Sequence, residues 1–133
     1  MNISGMDKSK LAKSGEEYIK LLASDADYIT RSNDDFREVR RAGYGVIAKL
    51  PEADFEDFIS GLHYNKGGVS HGSYRPLTRS LAITEVFAVF ELMGMDRTYA
   101  LDCLEEKCEG GGCVFSFWDF CSSLNCPPSV LQP

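Results

Sequence analysis

The chain has 133 residues, a formal net charge of −6 and 44% hydrophobic residues; its pI is near 4.9 and its mean hydropathy is −0.20. That length suits one domain with a core that needs no covalent support, and the composition is that of a folded chain rather than a disordered one. An acidic surface repels phosphate backbones, so direct nucleic-acid binding is not expected, whereas docking on a basic protein surface is.

Residues 1–13 read as a polar lead. Ser14-Gly-Glu-Glu17 has the pattern of a capping box, and Tyr18, Ile19, Leu21 and Leu22 behind it predict a short amphipathic helix to about Ser24. Ser32-Asn33-Asp34-Asp35 offers cap oxygens and first-turn negative charge. Phe36, Val39, Gly43, Val46, Ile47 and Leu50 then recur at helical spacing. This periodicity favours one helix over residues 32–50, against a break at Gly43. Leu50-Pro51 marks a boundary. Phe55, Phe58, Ile59 and Leu62 stand at i, i+3, i+4 and i+7, the inner face of a third helix.

Residues 63–76, HYNKGGVSHGSYRP, hold both histidines and three of the twelve glycines. No apolar periodicity runs through them, so they read as a loop, and a loop of this length inside a compact domain is often functional. Tyr64, Lys66, His71, Tyr74 and Arg75 are its candidate binding residues. Residues 80–95, SLAITEVFAVFELMGM, form the longest apolar run. On a helical wheel Ser80, Thr84, Glu91 and Gly94 make one narrow polar stripe and nearly all else is apolar. This is the expected central helix. Phe87 falls in the polar stripe, which marks it as an exposed contact residue. Glu85 falls on the apolar side, where a carboxylate is either paired or functional.

Asp96 can cap a fifth helix that places Leu101, Leu104 and Cys108 on one side, and EGGG at residues 109–112 stops it. A last helix is expected from Ser116, with Phe117, Phe120, Cys121 and Leu124 at i, i+3, i+4 and i+7 and with Phe115 and Trp118 off that face. The tail, residues 127–133, reads as loose. The predicted fold is therefore all-α: a single domain over residues 14–126, with five or six helices packed around residues 80–95.

The five cysteines run C-x4-C-x4-C-x7-C-x4-C from Cys103 to Cys126. The tight pair usual in tetrahedral zinc sites is missing. On a straight helix Cys103 and Cys108 would point about 140° apart, so no cofactor is expected and the default reading is small buried hydrophobes. The alternative is a metal or redox centre built on Cys108, Cys113, Cys121 and Cys126, and a disulfide between two of Cys113, Cys121 and Cys126 stands between the two readings. The N-terminus has no apolar signal core and no stretch can span a bilayer. A cytoplasmic location without membrane contact follows, in which thiols stay reduced; an odd cysteine count also prevents complete internal pairing.

No H-E-x-x-H, G-x-S-x-G or G-x-x-x-x-G-K-[ST] motif is present, so a non-enzymatic function is expected. The leading expectation is a small acidic regulatory module that binds another protein, with the carboxylates steering a basic surface. Self-association is compatible with the same features. A third reading is a leader–core precursor peptide, with a glycine boundary at residues 110–112 and a Cys/Ser-rich core after it.

Overall fold

The computed structural model describes residues 1–128. It is a mixed helix and sheet protein, 48% helix and 21% strand, which corrects the all-α expectation. The helices are α1 (Gly15–Ala23), α2 (Asn33–Arg41), α3 (Glu52–Ser60), α4 (Arg75–Thr78), α5 (Ile83–Leu92) and α6 (Arg97–Cys103). The strands are β1 (His63–Asn65), β2 (Gly68–Ser73), β3 (Leu104–Glu109) and β4 (Gly112–Cys121). They form one antiparallel sheet in the order β1-β2-β4-β3.

The helix starts follow from local chemistry. The Ser14 hydroxyl accepts from the Glu17 backbone N–H at 3.2 Å, and the Glu17 carboxylate accepts from the Lys13 N–H at 3.0 Å. Ser32, Asp35 and the Arg31 N–H repeat the device at α2, at 3.2 and 2.8 Å. Each satisfies one donor that the helix start leaves orphaned and ties down the residue before the cap. Glu85 does the same for α5, accepting from the Ala82 N–H at 3.0 Å while it pairs with Lys49. Its carboxyl is held below the usual range, first by the Lys49 pair and then by that N–H. It is thus a paired cap residue.

The predicted helix over residues 32–50 ends early. α2 stops at Arg41 because Gly43 and Gly45 take φ of 69° and 62°, a region that glycine enters without strain; Val46–Lys49 is then a separate 3-10 turn. The stretch read as a loop is a β-hairpin: Lys66 and Gly67 have φ of 55° and 87° between Asn65 and its partner Gly68. That pair of positive φ values makes the two-residue turn which suits the twist of flanking strands. EGGG is the same device, with Gly110 and Gly111 at 64° and 86° between the partners Glu109 and Gly112. It joins β3 to β4 instead of ending a helix. The predicted last helix is replaced by β4, whose aromatic-rich sequence suits a pleated surface.

α5 is the central helix, shorter than expected, with Val86, Phe87, Val89, Phe90 and Leu92 buried. Phe87 is 6% exposed, beneath the Arg97 guanidinium at 4.9 Å, so it is no contact residue. Phe90 meets Phe120 of β4 edge-to-face at 4.9 Å, joining helix layer to sheet. Tyr18 of α1 donates to the Val69 carbonyl of β2 at 2.7 Å. Arg31 donates to the carbonyls of Leu22 (2.9 Å), Ser24 (3.0 Å) and Gly67 (3.0 Å), binding the end of α1 to the first hairpin turn. The N-terminal lead is docked as well: Ala12 is buried and bridges Met95. Among the described residues no helix is long and apolar enough to cross a membrane. Of the predicted tail, residues 129–133 lie outside the described residues.

Candidate functional site

The β3–β4 hairpin departs from regular pairing in one place. Leu104 pairs with Phe120 and Glu106 with Phe115, so residues 116–119 stand opposite Glu105 alone. Glu105 and Trp118 take φ of 63° and 69° without being glycine, a conformation that costs an ordinary residue energy and marks the turn. The bulge is held by side chains. Ser116 donates to Asp119 at 2.6 Å, and the Trp118 N–H donates to Glu105 at 3.3 Å. The Trp118 carbonyl accepts from the Tyr74 N–H at 2.9 Å. An extended run from Cys113 to Cys121 would span about 26 Å at roughly 3.3 Å per residue; their Cα atoms are 5.9 Å apart. The strand therefore doubles back on itself.

Four cysteines lock this shape, in disulfides Cys108–Cys126 and Cys113–Cys121. The reduced-thiol default is thus corrected for four of the five cysteines; Cys113–Cys121 is among the bridges that the sequence reading allows, and Cys108–Cys126 is not. The two bridges touch: Cys121 Sγ lies 3.3 Å from Cys108 Sγ and 3.2 Å from Cys126 Sγ. The Ser70 hydroxyl of β2 is 3.6 Å from Cys108 Sγ. The fifth cysteine, Cys103, is a free buried thiol pushed up to about 12 by burial, and it is inert at neutral pH.

On its outer side the bulge displays aromatic rings. Phe115 is 67% and Phe117 70% exposed, and they meet edge-to-face at 4.7 Å. Trp118, 42% exposed, is held between the Tyr74 ring at 5.7 Å and the Arg75 guanidinium at 5.6 Å. Tyr74 in turn hydrogen-bonds Glu105. The hairpin carries Glu105, Glu106, Glu109 and Asp119 against Lys107 alone, so its field is negative.

The five candidate binding residues do not form one site. Tyr74 and Arg75 join the aromatic bulge. Tyr64 donates to Asn33 Oδ1 at 2.6 Å, and burial pushes its hydroxyl well above the usual range. Lys66 reaches the Leu124 carbonyl at 3.4 Å. These two brace the first hairpin. His71 stacks on His63 with ring centroids 4.3 Å apart, in a cleft of about 250 Å³ shared with Lys107, Cys108 and Asp119. Its pKa is lowered, by burial first and by His63 second. A larger cavity of about 590 Å³ lies between the start of α1 and α6; there Tyr99 is already hydrogen-bonded to Ser122 at 2.6 Å.

Phe115 and Trp118 fall off the apolar face in the sequence, whereas Phe117 reads as a core residue and is exposed in the structure. The signal for Phe115 and Phe117 is the alternation F-S-F before Trp118, which reads outward on a strand but is obscured by the helical spacing of Phe117, Phe120, Cys121 and Leu124. Comparison of the chain with protein-family models, curated proteins and solved structures finds no match.

Proposed function

We propose that this protein is a binding module that docks on a basic protein surface through the aromatic bulge, with Phe115 and Phe117 as anchors and Trp118 as their rigid support. The observation that carries the reading is two phenylalanine rings, each about two-thirds exposed and in mutual contact, on a hairpin held by two disulfides. Single exposed apolar residues are ordinary, whereas adjacent exposed rings are characteristic of contact surfaces. Each ring contributes roughly 2 kcal/mol when fully buried by a partner. A stapled loop loses little entropy on binding, which favours affinity. The partner is basic because the surrounding carboxylates leave a negative rim, and rim charge sets encounter rate and partner choice. Residues 112–126 are woven into the fold, with Phe120 and Asn125 fully buried, and this favours a surface role over a detachable peptide core.

The chain's one tryptophan is Trp118, so its fluorescence reports this site alone. Titration with basic peptides that carry one or two aromatic or leucine anchors is expected to blue-shift Trp118 emission. The affinity should fall with added salt and weaken at least about tenfold in Phe115→Ser/Phe117→Ser. A double variant that binds as well as the parent would refute the reading. So would sedimentation showing that the rings are buried in a dimer, or equal emission shifts with zwitterionic lipid vesicles.

A further inference from the structure

The touching disulfides carry a second inference. We propose that Cys108, Cys113, Cys121 and Cys126, when reduced, bind one zinc ion as a tetrathiolate, the two disulfides being the oxidised form of the same centre. Sulfurs around a tetrahedral zinc ion, with Zn–S near 2.3 Å, are separated by about 3.8 Å. Cys121 Sγ already lies 3.3 and 3.2 Å from the sulfurs of the other bridge, and the sulfurs of Cys108, Cys121 and Cys126 all lie within 4.8 Å of one another. Cys113 is bonded to Cys121 and also pairs directly with Cys108 across the two-residue turn. Cys113 Sγ lies outside that group of three; reduction frees its thiol next to Cys121, on the strand position paired with Cys108, and closing the tetrathiolate takes a rotation of the Cys113 side chain.

The fold supplies what the spacing lacks. Cys108 and Cys113 flank the Gly110-Gly111 turn, and Cys121 and Cys126 flank the 3-10 turn Ser123–Asn125. Two turns thus present two pairs, as tight C-x2-C pairs do elsewhere, though four residues separate each pair here. Cys108 and Cys113 lie on paired strands, so the divergence of residues five apart on a helix does not separate them. An all-thiolate set selects zinc over hard cations such as magnesium or calcium. The Ser70 hydroxyl, 3.6 Å from Cys108 Sγ, is placed to donate to a coordinated thiolate.

Interconversion needs a peroxide. Two equivalents take four electrons from the four thiolates and become four hydroxide ions, two S–S bonds form, and one Zn²⁺ leaves. The reverse needs a dithiol or phosphine reductant and zinc.

The test uses the full chain, reduced by a phosphine without chelator and titrated with Zn²⁺ or Co²⁺ alone. Native mass spectrometry is expected to find one zinc per chain, and Co²⁺ to give the intense visible bands of a tetrahedral thiolate complex. Cys→Ser at any of the four positions should weaken metal binding at least about tenfold, while Cys103→Ser leaves it unchanged. Peroxide should release the metal and lower the chain mass by four hydrogens relative to the reduced form. A reduced chain that takes up no stoichiometric metal, whether folded or not, would overturn the proposal. So would weak octahedral Co²⁺ bands, or binding that survives Cys121→Ser.

Discussion

His71 illustrates how one residue acquires a property only from its neighbours. It faces His63 from β1, Lys107 from β3 and Asp119 from β4; burial and His63 lower its pKa, and Asp119 opposes them in part. A histidine whose folded value lies below its unfolded one is held neutral by the fold. Its contribution is complete above the ordinary value of 6.5 and is lost as the pH falls through that value toward the folded one. The urea midpoint is expected to be flat from pH 8 to 7 and to decline from about pH 6.5 downward. His71→Gln should flatten that decline, and an unchanged pH profile in the variant would rule His71 out as its source. Single residues were partly legible in the sequence. Ser14, Ser32 and Glu17 act within four positions of themselves, so their capping roles can be read locally. Phe87 could not be read that way, because its burial depends on Arg97 folding over it from another helix.

At the scale of elements, the contrast between the two hairpin turns is informative. Gly110-Gly111 meets the need for two positive φ values with two glycines, whereas the first hairpin puts Lys66 at φ 55°. A non-glycine residue there carries strain that asparagine tolerates better. Lys66→Asn is therefore expected to stabilise the protein by about 0.5 kcal/mol, since Asn-Gly is the preferred pair for this turn. Chemical denaturation would check the sign, and a loss of stability would mean that the Lys66 contact with the Leu124 carbonyl outweighs the strain. The strands around this turn lack the sequence pattern of strands. β1 has three residues and β2 carries glycine at both Gly68 and Gly72, so neither presents the apolar alternation that announces a strand. Their pairing is decided by partners: β2 lies between β1 and β4.

For the whole molecule, β4 links the layers. It pairs with both β2 and β3, sets Phe120 against Phe90, and carries two of the four bridged cysteines. Removal of residues 112–133 is expected to abolish cooperative thermal unfolding rather than trim a tail, because it takes a central strand and leaves buried apolar surface open. Circular dichroism on the truncated chain would decide this; native-like melting would revive the leader–core reading. From the sequence alone come the acidic composition, the helix starts at Ser14, Ser32 and Pro51, and a buried central helix within residues 80–95, of which Ile83–Leu92 is helical, because caps and apolar periodicity act over one or two turns. Only the tertiary structure decided that residues 104–121 form a β-hairpin of the sheet, that four cysteines join in two touching bridges, and that Phe115 and Phe117 face outward. Strand pairing and sulfur contacts join residues far apart in the chain, and an aromatic run spaced for either period takes the one whose neighbours bury its other face.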